Sequence, residues 1–168
     1  MFFFLLFLSI TALSQLVHEH SKPVPSFRII HGRVAGLHSH PYQVGIYVTG
    51  KIQSQFCGGS LVSNNYVLTA AHCVEDVNAL SMELIFGAHN VTDKSEETQV
   101  RRISTEFTVH PGWDWSLKQG DVALVKLPEP VNETEHIKII RLHSGNETFA
   151  EEKGTLAGWG ITSNTQTQ

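Results

Sequence analysis

Long apolar runs, basic clusters and cysteines are all scarce in this chain of 168 residues. It has 12 lysine and arginine residues against 16 acidic ones, and its formal net charge of −4 is scattered along the sequence. A nucleic-acid partner is therefore not expected, because such binding requires a concentrated basic surface. One apolar run, residues 2–13, is shorter than the roughly 20 residues that span a bilayer. We accordingly predict no membrane partner.

The apolar run at the N-terminus has the character of a secretory signal peptide. Ala12 and Ser14 provide the small side chains that a signal peptidase needs just before its cleavage site. A buried first strand is the alternative interpretation of this run. We predict a signal peptide over residues 1–14 and hence a secreted, extracellular protein. The polar stretch 15–28 contains two prolines and no periodicity, which is typical of a pro-peptide or a linker, and we predict a pro-peptide.

Signals for glycosylation and for metal binding differ in strength. Three Asn-X-Thr sequons begin at Asn90, Asn132 and Asn146, and in a secreted chain they are candidate N-glycosylation sites. The ten histidines are dispersed along the sequence, and no pair has the HExxH spacing of a zinc hydrolase. We therefore predict structural or solvated histidines, no metal site and no cofactor.

Short segments rich in β-branched and aromatic residues recur through the middle of the chain, separated by turn residues. A helical turn is expected over residues 70–74. The predicted strands cover residues 43–49, 59–62, 66–69, 82–86 and 122–127. Short strands at this spacing predict an all-β fold, either an antiparallel sandwich or a barrel.

The most specific pattern is the segment Cys57-Gly-Gly-Ser-Leu-Val, followed by Leu68-Thr-Ala-Ala-His72-Cys73. It resembles the histidine segment of the chymotrypsin-like serine proteases (the trypsin fold, peptidase family S1). The resemblance implies a double antiparallel β-barrel, with the first barrel present and the second truncated. The peptidase domain would cover residues 29–168, with its first barrel reaching to about residue 130. A disulfide between Cys57 and Cys73 is also implied, and two cysteines in a secreted chain allow no other pairing.

His72 and Asp121 are the catalytic candidates that the resemblance implies. His72 would be the general base, because an imidazole can accept and return a proton near neutral pH. Asp121 begins the apolar segment Asp121-Val-Ala-Leu-Val, which is similar to the aspartate segment of the family. It would orient the imidazole of His72. An aspartate that merely faces solvent at the start of a strand is the alternative.

The segment Arg28-Ile29-Ile30-His31-Gly32 resembles the activation site of the family. Cleavage after Arg28 would create a new N-terminus at Ile29, so the resemblance implies a trypsin-like activating protease. His31 stands where the family usually has a glycine. Protein or peptide substrates, and serine protease inhibitors, are the remaining partners that the resemblance implies.

A nucleophilic serine is missing from the pattern. In this mechanism it lies roughly 90 residues beyond the aspartate, and neither Ser144 nor Ser163 has the family's Gly-Asp-Ser-Gly-Gly context. We expect the serine to lie beyond Gln168 and the 168-residue chain to be inactive alone. A secreted, non-catalytic protease homologue that binds a partner is the alternative.

The chain also lacks a ligand of the calcium loop found in some members of the family. Ala88 stands where those members have the first carboxylate of the loop, so no calcium is expected.

Overall fold

The computed structural model describes residues 32–160. The predicted signal peptide, the pro-peptide and the cleavage site between Arg28 and Ile29 lie outside the described residues. Within them, no helix is long and apolar enough to cross a membrane. The elements are β1 Gln43–Gly50, β2 Ser54–Ser63, β3 Tyr66–Thr69, α1 His72–Glu75, β4 Ala79–Phe86, β5 Val100–Ser104, β6 Phe107–Val109 and β7 Ala123–Lys126.

The strands form one antiparallel sheet in the order β5-β4-β1-β2-β3-β7-β6. Strand β1 lies between β4 and β2, with Ile46 opposite Leu84 on one side and Cys57 on the other. Strand β3 pairs with both β2 and β7, although β7 follows β3 by more than fifty residues in the chain. The pairing of β3 with β7 is therefore the long-range contact that completes this side of the sheet.

The sheet is curled, and a side-chain hydrogen bond connects strands near its two ends. The hydroxyl of Ser104, at the end of β5, donates to the carbonyl of Lys126, at the end of β7 (2.6 Å). The amide of Lys126 in turn donates to the carbonyl of Glu106 (3.0 Å). The bond to Glu106 continues the pairing of β6 with β7, so a single side-chain bond links β5 to β7. Within the described residues no backbone ladder joins the two end strands, β5 and β6.

Alternate side chains along the strands fill the barrel. In β4, Met82, Leu84 and Phe86 are at most 1% exposed, and in β7 Val125 is fully buried while Leu124 and Lys126 face outward. This alternation follows from the two-residue repeat of a β-strand. The barrel interior is thus a packed apolar core, with the catalytic candidates at one of its ends.

Five of the predicted segments coincide with observed strands, whereas β5 and β6 were not predicted. Strand β5 contains two consecutive arginines, and β6 is only three residues long. The predicted helical turn is observed two residues later, as α1. Residues 127–160 contain no strand, so the part of the predicted second barrel that lies after about residue 130 is irregular as far as residue 160. Single backbone hydrogen bonds tie part of this segment to the sheet, as when the amide of Ile140 donates to the carbonyl of Leu61 (2.9 Å), but they form no continuous ladder.

Trp159 packs against the outside of the barrel. Its ring lies 6.2 Å from that of Phe56, and its Nε1–H donates to the carbonyl of His89 (2.8 Å). Phe56, Ile85 and Val91 form a small second cluster of buried residues on this side. The segment that follows the first barrel is therefore anchored to it.

Candidate active site

His72 lies at the start of α1, directly after the end of β3. The neighbouring strand β2 holds this turn at three points. The disulfide joins Cys73 to Cys57 (Cα–Cα 6.3 Å), and Gln55 Nε2 donates to the carbonyl of Cys73 (2.8 Å). The hydroxyl of Thr69 donates to the carbonyl of Gly58 (2.9 Å). The backbone that carries His72 is therefore tied to the barrel, and the predicted disulfide is present.

Asp121 reaches His72 because of the register between β3 and β7. Thr69, the last residue of β3, is paired with Ala123, the first residue of β7. His72 follows Thr69 by one turn and Asp121 precedes Ala123 by two residues, so both lie at the same end of the strand pair. The residue before the aspartate, Gly120, has a φ of 66°, a region in which glycine is favoured.

The carboxylate of Asp121 binds His72 through both oxygens. Oδ2 lies 2.8 Å from the imidazole Nδ1, and Oδ1 accepts the backbone N–H of His72 at 2.9 Å. The N-cap residue of α1, Ala71, makes no side-chain capping bond. Asp121 therefore takes the place of a cap, since it accepts an otherwise free N–H of the first helical turn. One carboxylate orients both the ring and the backbone of the histidine.

The pKa of Asp121 is lowered from its ordinary value. Partial burial raises the pKa, but the hydrogen bonds from the backbone and ring of His72, the charge of that ring and the amide of Ala71 lower it by more. Asp121 consequently remains an anion through the neutral range. An ionised carboxylate only accepts hydrogen bonds, so Nδ1 must carry the proton that it donates.

This tautomer leaves Nε2 of His72 with a lone pair. The Sγ of Cys73 lies 3.5 Å from Nε2, but a disulfide sulfur has no proton to donate, so the lone pair stays available. The side chain of His72 is 45% exposed, so a reacting group can approach it. Within residues 32–160, no serine hydroxyl forms a hydrogen bond with His72.

Metal binding at this position is disfavoured by the disulfide. The ligand atoms of Cys57, His72 and Cys73 lie within 4.8 Å of one another. Both sulfurs are bonded to each other, however, and thiolates are the form of cysteine that binds metal. The geometry of the pair His72–Asp121 therefore suits acid–base chemistry better than metal binding.

The remaining predicted site residues in the described part of the chain are the sequon asparagines. Asn90, Asn132 and Asn146 are all exposed. In the first sequon the hydroxyl of Thr92 donates to the side-chain oxygen of Asn90 (2.8 Å).

Sequence reasoning missed Gln55, which supports the turn that carries His72 from the neighbouring strand β2. A single polar residue in a strand gives no signal of such a role.

The similarities between this chain and known proteins agree with this geometry. The family model named Trypsin matches residues 29–168. The chain belongs to the trypsin family. A chymotrypsin from Phaedon cochleariae is 33% identical over 141 residues, which are 82% of this chain and 50% of that protein. Brachyurin from Leptuca pugilator is 36% identical over 135 residues, 80% of this chain and 57% of that protein.

Further similarities point to the same trypsin-family fold. A trypsin from Sarcophaga bullata is 33% identical over 133 residues, 79% of this chain and 50% of that protein. A solved structure described as "Structure of GrC" is 33% identical with a TM-score of 0.64, covering 71% of this chain and 51% of that one. The chain thus spans about half the length of these relatives. The predicted all-β fold with a chymotrypsin-like first barrel is confirmed.

Proposed function

We propose that the complete protein is a secreted serine endopeptidase, made as an inactive precursor and activated by cleavage after Arg28. The observation that supports this most directly is the two-point contact between His72 and Asp121. It orients the imidazole, selects the tautomer with a free Nε2 and supplies a negative charge to stabilise the imidazolium. The nucleophilic serine would come from residues that follow Gln168.

The proposed reaction is acyl transfer through a serine ester. Nε2 of His72 accepts the proton of the serine hydroxyl while its oxygen attacks the carbonyl carbon of a peptide bond. The proton then passes to the leaving amine, and the acyl group remains on the serine. Water attacks this ester in the second half, again with His72 as base, and the proton returns to the serine. Asp121 stays ionised throughout.

Several further features belong to this proposal. Substrates are peptide bonds in proteins, and a trypsin-like protease generates the N-terminus at Ile29. Serine protease inhibitors are expected to bind the mature enzyme. Residues 1–14 direct secretion, and exposure of the three sequon asparagines favours glycosylation at Asn90, Asn132 and Asn146.

A sharp test uses protein expressed from the complete coding sequence and cleaved after Arg28. We expect hydrolysis of casein and covalent labelling by a fluorophosphonate, which reacts with activated serines. Replacing His72 by Ala is expected to lower kcat by about 10⁶-fold. The matched control is His143→Ala, because His143 lies on an exposed segment. It should retain full activity.

Two results would contradict the proposal. Undiminished turnover by the His72→Ala variant would exclude the mechanism. A complete protein that folds, yet neither turns over casein nor reacts with the fluorophosphonate, would favour the non-catalytic binding homologue. The 168-residue polypeptide by itself is expected to hydrolyse no peptide or ester substrate.

A further inference from the structure

The turn that carries His72 is held by residues from both neighbours of the strand that precedes it. Strand β3 lies between β2 and β7 in the sheet, and His72 follows β3. On the β7 side, a carboxylate oxygen of Asp121 accepts the backbone N–H of His72 at 2.9 Å. On the β2 side, Gln55 contacts the carbonyl of the same residue. The proposed peptidase mechanism uses Asp121 and assigns no role to Gln55.

The side-chain amide of Gln55 donates to two successive carbonyls. Its Nε2 lies 2.8 Å from the carbonyl oxygen of Cys73 and 3.3 Å from that of His72. Carbonyls only accept hydrogen bonds, and an amide nitrogen carries two N–H groups, so one nitrogen can serve both. The two partners therefore fix which way the amide of Gln55 points.

Gln55 and Cys57 hold this turn from the same face of β2. They are two residues apart in the strand, and side chains at that spacing lie on one face. Cys57 is bonded to the sulfur of Cys73, while Gln55 donates to its carbonyl. One covalent and one non-covalent link thus restrain a single residue, the immediate neighbour of His72.

The surroundings of the contact strengthen it. Gln55 is partly buried, Cys73 is 3% exposed and Val74 is fully buried, so this part of α1 lies against the barrel. Hydrogen bonds in such surroundings meet less competition from water than exposed ones do. The backbone that follows His72 is therefore restrained by a shielded contact rather than by a chance pairing at the surface.

We propose that Gln55 is a positioning residue of the peptidase reaction, which holds the backbone of His72 and Cys73 against β2 and so keeps the imidazole Nε2 in place. The inference rests on the proposed function. Displacing a catalytic group by about 1 Å can lower the rate about 100-fold. Gln55 acts only through the backbone, and it complements Asp121, which restrains the other end of the same peptide unit and the ring.

The disulfide and Gln55 act on the same residue, so each covers for the loss of the other. Removing the Cys57–Cys73 bond leaves the carbonyl of Cys73 bound to Gln55, and removing the amide of Gln55 leaves the bond. Residues that act as a unit have non-additive effects when they are replaced. The complete enzyme should therefore keep much of its activity without the disulfide and lose it when Gln55 is replaced as well.

Kinetics of the complete protein, cleaved after Arg28, test the inference. Gln55→Met keeps the approximate size of the side chain and removes its donor. We expect kcat on a peptide ester to fall about tenfold at an unchanged KM, because the general base is displaced while substrate contacts are kept. Gln53→Met, at an exposed residue between β1 and β2, is the matched control and should leave kcat unchanged. Combining Gln55→Met with Cys57→Ala/Cys73→Ala should lower kcat by more than the product of the separate losses.

Amide hydrogen exchange followed by NMR gives a readout that needs no catalysis. The backbone N–H of His72 is bound to Asp121, so it exchanges only when the turn opens. We expect Gln55→Met to accelerate this exchange about tenfold and Gln53→Met to leave it unchanged. Unaltered exchange in the ladder between β1 and β4 establishes that each variant is folded. Gln55→Glu, which has a similar shape and no donor, is the second variant if Gln55→Met does not fold.

The possible outcomes separate this inference from the proposed function. Unchanged exchange at His72 in Gln55→Met, an unchanged kcat, or an equal loss of kcat in Gln53→Met would each overturn the role of Gln55. Purely multiplicative losses in the combined variant would overturn the shared restraint with the disulfide. A folded wild-type protein without turnover would instead refute the proposed peptidase function, and exchange at His72 would still decide whether Gln55 holds the turn.

Discussion

Both carboxylate oxygens of Asp121 are bound by a single residue, His72, one by its backbone amide and one by its imidazole. The aspartate therefore orients the ring and simultaneously restrains the peptide unit that carries it. A change at Asp121 should consequently affect the ring tautomer, the first turn of α1 and the pH dependence of stability together. These consequences can be measured separately.

The first prediction concerns turnover by the complete, activated protein. Replacing Asp121 by Asn changes one carboxylate oxygen into an NH2 donor. With its remaining oxygen on the backbone N–H of His72, the NH2 faces Nδ1 and favours the tautomer that is protonated on Nε2. We expect kcat to fall about 10⁴-fold, the size typical of losing the orienting carboxylate of a Ser-His-Asp triad. Steady-state kinetics on a peptide ester would measure this. Asp93→Asn, at an exposed position in another loop, should leave kcat unchanged; a comparable loss there would argue against a specific role for Asp121.

The second prediction concerns stability and pH. Because the folded-state pKa of Asp121 lies below its unfolded value, its contribution to stability is present above about pH 3.9 and is lost as the pH falls through the folded pKa. The stability difference between wild type and Asp121→Asn should therefore be largest near neutral pH and shrink in acid. Urea unfolding between pH 3 and 7 provides the test. A difference that stays constant over this range would contradict the assignment.

The third prediction concerns the disulfide. Replacing both Cys57 and Cys73 by Ser removes a cross-link with a sequence separation of 16, which in the chain-entropy model contributes about 3 kcal/mol. We expect the free energy of unfolding to fall by about this amount, because the unfolded chain gains freedom. Urea unfolding measures the change. Serine at both buried positions adds a polar cost, so Cys57→Ala/Cys73→Ala serves as the control; an unchanged midpoint in both variants would refute the prediction.

The fourth prediction concerns Gly120. A Cβ at this position would lie 2.6 Å from the carbonyl oxygen of Gly112, and the positive φ disfavours any side chain. Gly120→Ala should destabilise the protein by about 1–3 kcal/mol and lower kcat, because it displaces the neighbouring Asp121. Gly154→Ala is the matched control, since a Cβ there meets nothing within 4 Å. Equal effects of the two changes on unfolding would show that the backbone argument is wrong.

The fifth prediction concerns glycans. All three sequon asparagines lie on exposed segments, so we expect each to carry an N-glycan when the protein is secreted from animal cells. Treatment with an N-glycosidase should reduce the apparent mass, and Asn90→Gln, Asn132→Gln and Asn146→Gln should each remove one step on a gel. Asn65→Gln, at an exposed asparagine outside any sequon, should remove none. Identical mobility before and after glycosidase treatment would count against all three sites.

The strands differ in how well the sequence predicts them. Strand β4 could be predicted because Met82, Leu84 and Phe86 alternate with residues that face away from the barrel core. Strand β5 could not, because Arg101 and Arg102 interrupt any apolar alternation. Its strand conformation depends on pairing with β4, in which Ile85 lies opposite Arg101. Tertiary pairing here overrides the local pattern.

The sequence by itself determined the trypsin-family membership, the partners of the disulfide and the identity of the two catalytic candidates. These features are recognisable because each lies in a short continuous sequence motif, around Cys57, His72 or Asp121. Only the tertiary structure decided that His72 and Asp121, 49 positions apart, touch at two points. This contact follows from the register between β3 and β7, in which Thr69 is paired with Ala123. The register is a property of the packed sheet, which side-chain spacing along the chain does not encode.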